Sequence, residues 1–565
     1  MAFFTEVREH PPVAQTTLLT VIAQDPSIRD GAKILTQQVA VPAEVTEPGP
    51  RGARFHVVDY DAAQGRLVPP VRMSVPDAFE KASNAALLGE AFRAQNVYAI
   101  ASRTLATFES ALGRRLKWAF NGHQLFLVPR AFPELNAYYS PEDGAILFGY
   151  LPTREGELQT CLSHDVIAHE TTHAVLDGLR PRYAEPGLPD QPAFHEALGD
   201  IVALLSVFSM EKVVERLLGE ADADGRIPRQ RLTERFLRRT ALFALADELG
   251  KASSGHRGSG LRRSIDLDAS EWRKKRAFLE PHRRGEILVS AVMETLLRMW
   301  SKRLQALLGA RRADRARVAE EGAKAAGHLL GMIVRGIEYM PPIELEFEDV
   351  VDSILKADEI VAPDDEKHRY REALTTAFAA VDIHRPAPLE RIEDLQDQRQ
   401  PVYERMNFAA LRASGEEVNR FLWENAEVFG IDRDYRLRVE SVSPSVRVGP
   451  DGLIVAEVVA SYVQSLELTA AELQGKGVKL PRGMKKDTKL ELWGGGVLIF
   501  DQFGRAKLHQ TKPLGDWSRQ QRRLSYLVSQ GLVDRQGRYG FTTSEPRGLR
   551  FAALHVADRR AEENW

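Results

Sequence analysis

Two histidines four residues apart, His169 and His173, bracket a glutamate and two threonines in the run CLSHDVIAHETTHAVLDGL. On an α-helix that spacing stacks both imidazoles on one face. Two such nitrogens can reach a single Zn2+ at about 2.0–2.1 Å. Glu170 follows the first histidine and lies beside the same point, where it could take a proton from a zinc-bound water. A second pair occurs in PAFHEALGDIVALL, where Glu196 and Asp200 are also four apart in a stretch of helical periodicity. Glu196 can be a third ligand. Asp200 can accept the other ring N–H of a ligand histidine and so fix its tautomer. Two imidazoles and one carboxylate favour zinc over magnesium or calcium, which want all-oxygen sites. Three protein ligands leave one coordination position open, as in hydrolytic rather than structural zinc sites. Cys161, the one cysteine, lies about two helical turns before His169 and reads as a small buried apolar side chain, not a ligand. The competing reading is a surface helix with two stray histidines; the second carboxylate pair weighs against it.

The elements that must hold these residues can be read from periodicity. Residues 1 to about 75 mix short β-like runs (KILTQQVAV, RFHVVDYD) with Pro/Gly breaks. From Asn84 to about Leu116 apolar residues recur three and four apart, predicting a helix. HQLFLVP, LNAYYS and AILFGY follow as strands, with PEDG as the turn between the last two. Helical periodicity then dominates from about Gln159 to Phe378, with Gly178 a plausible stop for the HETTH helix. A polar, Pro-containing stretch, DIHRPAPLERIEDLQDQRQP, marks a boundary. Beyond it an amphipathic helix, several alternating strands and a helix at WSRQQRRLSYLVSQGLV form a separate α+β unit. The expected division is a β-rich segment at 1–80, an N-lobe at 81–158, a helical lobe at 159–385, a linker at 386–405 and a C-terminal domain at 406–565.

The bulk composition bounds the function. The 565 residues are too many for one ordinary core. Hydrophobic residues make up 44% and charged residues 27%, with a formal net charge of -3 and no long single-sign block, so neither nucleic acid nor a membrane is indicated as partner. The short basic run RGMKKDTK and the Gly-rich turn around His256 read as solvated loops. The N-terminal sequence shows no secretory pattern, no apolar run suits a membrane helix, and one cysteine allows no internal disulfide. A cytoplasmic location is the simplest expectation.

HExxH followed by ExxxD on the next helix is the gluzincin pattern, and over roughly residues 85 to 383 the chain resembles the thermolysin-like zinc metallopeptidases. The resemblance implies a two-lobed α+β fold with a β-containing N-lobe, a mainly helical C-lobe and the zinc cleft between them. It implies a metalloendopeptidase that hydrolyses peptide bonds through a Glu170-activated zinc-bound water, with a peptide or protein as substrate. LNAYYS resembles the family's edge strand, so Asn136 and Ala137 would hold an extended peptide by β-augmentation. Tyr183 and His282 match the positions that donate to the oxyanion, and Arg263, in LRRSID, matches an arginine near the substrate carbonyl.

There are departures. His195 stands where the family usually has Asn, and would be a substrate contact or a helix-start residue. Glu280 would orient His282 or be a solvated loop carboxylate. Asp165 matches an acidic position of the family's calcium site, but its partner falls near Val207, so structural calcium is not expected. The C-terminal domain carries no readable function, though it could bind a protein partner. The alternative function is therefore a catalytically silent or latent peptidase-fold protein acting as a binding or regulatory module. A cytoplasmic peptidase needs restraint, from a narrow cleft or from residues 1–75 covering it; if they cover it, deleting them would raise activity.

Overall fold

The computed structural model describes residues 16–74, 77–153, 156–185, 187–238, 269, 271–307, 311–386, 392 and 400–533. The fold is mixed α+β. Arg263 and the turn around His256 lie outside the described residues, as does most of the expected linker at 386–405.

The N-terminal half is organised around a small mixed sheet. Strands β1 (Thr16–Ile22) and β2 (Thr36–Pro42) pair antiparallel with each other. Strand β3 (Phe55–Val57) runs parallel to β4 (Leu125–Phe132). The alternating run of AILFGY becomes β6 (Ala145–Thr153), which lies parallel to β4 and antiparallel to β5 (Ala137–Ser140). The PEDG turn closes the β5–β6 hairpin at Ser140↔Ala145. Strand β7 (Gly156–Gln159) extends the sheet on the far half of β6. Strand β5 pairs only with β6, so it is an edge strand among the described residues.

Three buried helices carry or flank the HETTH segment. Helix α1 (Glu90–Leu112) fulfils the periodicity read from Asn84 onward and ends at Gly113, φ 67°, in the left-handed cap that favours glycine. Helix α2 (His164–Leu179) holds HETTH, and every residue in it except Gly178 is buried. Gly178 is not the stop expected of it. The helix continues one residue further, and a Cβ at 178 would strike the carbonyl of Lys117, so the missing side chain admits a crossing chain. Helix α3 (Asp190–Phe208) carries Glu196 and Asp200 and is almost as deeply buried. Helix α4 (Pro281–Leu304) begins with proline at its first turn, where the absent N–H costs nothing. Helices α5 (Arg315–Ile337) and α6 (Phe347–Val361) complete the layer.

The C-terminal unit is a four-stranded antiparallel sheet in sequence order, β8 (Arg436–Val448), β9 (Ile454–Thr469), β10 (Lys489–Asp501) and β11 (Ala506–Lys512). Alternation along β9 and β10 has a direct reason. Ala460, Tyr462, Leu498 and Phe500 face one way, onto Val418, Phe421 and Leu422 of helix α7 (Gly415–Glu424). Val459, Val497 and Ile499 face the other way, onto Tyr339 and Ala357 of the helical lobe. Both faces of the sheet are thus covered. Helix α8 (Trp517–Ser529) follows, as its amphipathic sequence suggests. No helix among the described residues is long and apolar enough to cross a membrane.

The N-terminal strands are not a detachable cover. Leu19, Val21 and Ile22 belong to the same core as Ile167 and Val175 of α2. Ile22 donates its backbone N–H to Asn96 on α1 at 3.0 Å, and His164 donates its own to the carbonyl of Gln24 at 2.7 Å. Removing residues 1–75 is therefore expected to yield an unfolded chain rather than a more active one. Ile22→Ala alone should lower the unfolding free energy by about 2–5 kcal/mol in a denaturant titration.

His164, at the start of α2, gives a pH prediction. It is 1% exposed, with Nε2 2.8 Å from the Ser206 hydroxyl. Burial first, and the nearby Arg103 charge second, push its pKa down to about 3 from an ordinary 6.5. Between those values the unfolded chain binds a proton that the folded chain refuses. Its contribution to stability is complete above pH 6.5 and is lost as pH falls towards 3. His164→Gln, which keeps a polar partner for Ser206 but cannot titrate, should flatten the fall of unfolding free energy across that window.

Candidate metal and active site

Helices α2 and α3 pack side by side and bring their two pairs together. His169, His173 and Glu196 each offer one ligand atom, and these atoms all lie within 4.8 Å of one another. Glu196 Oε2 is 3.8 Å from Nε2 of both histidines. Ligand atoms around a tetrahedral zinc with ordinary bond lengths stand roughly 3.3–3.5 Å apart. A small inward adjustment of these side chains would therefore enclose an ion, and the donor set suits zinc. His169 is 4% exposed, Glu196 2%, and Glu170 and His173 0%.

The outer contacts orient this group. His169 Nδ1 lies 2.9 Å from Asp200 Oδ1, so the carboxylate takes the ring N–H and leaves Nε2 directed at the cluster. The i,i+4 spacing of Glu196 and Asp200 makes this possible from a single helix face. Between them, Gly199 permits the close approach. A Cβ there would stand 2.7 Å from Nδ1 and Cε1 of the His169 ring. His195 is not a helix-start residue: it lies inside α3, is 3% exposed, and its ring stacks on His173 with centroids 4.7 Å apart.

His282 reaches the same place from α4. Its Nε2 is 3.3 Å from Glu196 Oε2, and its Nδ1 is 2.9 Å from Glu280 Oε1. Glu280 is the N-cap of α4 and accepts the backbone N–H groups of His282 and Arg283 at 3.0 and 2.6 Å. Glu280 is thus no loose loop carboxylate; the cap and the ring contact hold His282 in one orientation. Burial would raise the Glu196 pKa, but the imidazoles of His173, His282 and His169 outweigh it and hold the carboxyl well below its usual range. Burial would lower His282, but Glu196 and Glu280 overcome it and hold the imidazole well above its ordinary value.

Asn136 precedes edge strand β5, and Ala137 opens it. The Asn136 side-chain oxygen accepts the Ala137 N–H at 2.9 Å. Two residues on, Tyr139 donates to Asp177 of α2 at 3.3 Å, tying the edge strand to the histidine-bearing helix. Asp177 lies one helical turn beyond His173, a spacing that could have flagged it. Tyr183 is placed differently from the resemblance's expectation. It is 1% exposed and donates its hydroxyl to the carbonyl of Pro341 at 2.6 Å. In this conformation that proton is committed to the protein. Cys161 is fully buried, and burial pushes its thiol up to about 12, consistent with an inert apolar role.

No protein-family model matches this chain, and no curated protein is similar to it at a significant level.

Two substitutions check that geometry by zinc affinity in a chelator competition. Asp200→Ala should weaken binding by about 10- to 100-fold, the usual effect of removing a histidine's outer partner. Gly199→Ala should also weaken it, because the new methyl displaces the His169 ring. Neither should change the helix content seen by circular dichroism.

Proposed function

We propose that the protein is a zinc-dependent metalloendopeptidase of thermolysin-like type. The observation that carries this is the buried convergence of His169, His173 and Glu196, with Glu170 on the same helix as the two histidines. Zinc, when held by those three side chains, would supply Lewis acidity to a peptide carbonyl and lower the pKa of a water. Glu170 would take that water's proton and pass it to the leaving amine. His282, fixed by Glu280, would direct Nε2 at the oxygen on which charge develops. Asp200 would keep the tautomer of His169. The edge strand at Asn136 and Ala137 would pair with an extended substrate backbone, and its tie to α2 would set the peptide's height over the site. Tyr183 would join as a second donor only after leaving Pro341. Arg263 would contact the substrate carbonyl, as the resemblance implies.

A latent or purely binding form of the same fold is the second reading. The burial of all four residues favours it, because a substrate carbonyl needs access to them.

Cleavage of an unstructured peptide library by wild type and by Glu170→Gln, both at measured zinc occupancy, tests the proposal. Wild type should cleave and the variant should lose about 100- to 10,000-fold in rate, the span attributed to a general base. No cleavage by either protein, with zinc bound, would instead favour the latent form.

A further inference from the structure

Away from the zinc cluster, helices α1 and α5 and the end of strand β8 line an open pocket of about 520 Å3. Arg103, Arg335 and Arg447 line it, and no lining residue is acidic. Along α1, Arg103, Thr107 and Ser110 follow helical spacing and face one way. Along α5, Gly327, Gly331 and Arg335 do the same. A Cβ on Gly327 would meet nothing within 4 Å, so the α5 side of the pocket is open for want of side chains.

The charge around this pocket is unbalanced. Arg335 and Arg371 share Asp358 at 3.0 and 3.1 Å. Arg114 and Arg447 share Glu338 at 2.7 and 3.2 Å, and Arg447 also reaches Glu457 at 3.1 Å. Arg103 has no ion pair among the described residues; its guanidinium donates to the Ser209 hydroxyl at 2.8 Å. Nη1 of Arg103 and Nε of Arg335 are buried with no protein hydrogen-bond partner among the described residues. Burial pushes the Arg103 guanidinium down to about 10. Burial also lowers Arg335, and the like charge of Arg447 acts in the same direction against Asp358. Of the three lining arginines only Arg103 lacks a carboxylate, and a guanidinium so placed in a low-dielectric setting is costly unless an anion joins it.

We propose that this pocket binds a phosphate-bearing small molecule. Guanidinium groups match phosphate oxygens in pairs, and the hydroxyl of Ser110 can add a neutral donor, while that of Thr107 is taken by the Arg103 carbonyl at 2.9 Å. The volume suits a small phosphorylated metabolite rather than a bare ion. Because Arg447 belongs to the C-terminal sheet, Arg103 to α1 and Arg335 to α5, the ligand would tie the sheet to both helices and stabilise their union. This site stands apart from the zinc cluster and does not depend on peptidase activity.

The test uses the full-length chain and isothermal titration with inorganic phosphate and with glycerol 3-phosphate, at fixed ionic strength, with zinc content measured before and after. Saturable one-to-one binding is expected, weaker by about tenfold or more in Arg335→Gln. It should be abolished in Gly327→Leu, which fills the pocket without removing a charge. Tighter binding of the ester than of phosphate would assign the site to a phosphomonoester; equal binding would assign it to the free anion. Absence of saturable binding at fixed ionic strength, or undiminished affinity in both folded variants, would overturn the proposal.

Discussion

The hardest constraint on this molecule is the burial of α2. A helix that hides His164, Asp165, His169, Glu170, His173 and Asp177 from water must satisfy each of them inside the protein. The neighbouring elements answer to that need. Helix α3 supplies Asp200 to one imidazole and Ser206 to another. The edge strand supplies Tyr139 to Asp177. Helix α4 brings His282, whose charge is matched by Glu196 and Glu280. An apolar helix in the same place would need none of this architecture. The cost of burying such groups is high, and these contacts offset part of it.

The sequence revealed the site more clearly than its surroundings. HExxH and ExxxD are short-range patterns on single helices, so their ligand geometry follows from 3.6-residue periodicity alone. Asp200 was legible for the same reason. Gly199 was not, because its role depends on the distance between two helices, which periodicity does not contain. Tyr183 shows a related limit: spacing from His173 located the residue but could not say that Pro341, 158 positions away, accepts its hydroxyl. The short strands at 16–57 looked peripheral because each is brief and interrupted. Their burial arises from contacts with α1 and α2, far along the chain. Gly178 read as a stop because glycine ends many helices, yet here it serves a crossing at Lys117.

The C-terminal unit was legible as α+β from its alternating strands, but what it packs against was not. Alternation reports two distinct faces but not what covers each. Here one face meets α7 and the other meets Tyr339 and Ala357 of the helical lobe. Ion pairs reinforce that union. Lys512 reaches Glu346 and Asp349 at 2.8 and 2.7 Å, Arg523 reaches Glu344 at 2.6 Å, and Arg182 lies 4.1 Å over the Trp493 ring. The segment receiving these contacts also contains Pro341, which holds Tyr183, and Phe347, whose N–H is accepted by Asp190 at the start of α3. The sheet therefore braces the loop that supports two elements of the site.

That brace fixes an order of events during synthesis. Glu344, Glu346 and Asp349 emerge from the ribosome well before their cationic partners at 512, 522 and 523. Until those residues follow, the loop beside α2 and α3 carries unmatched negative charge and an uncovered Tyr339 face. The loop's ion pairs can thus close only once residues 512 to 523 have followed it.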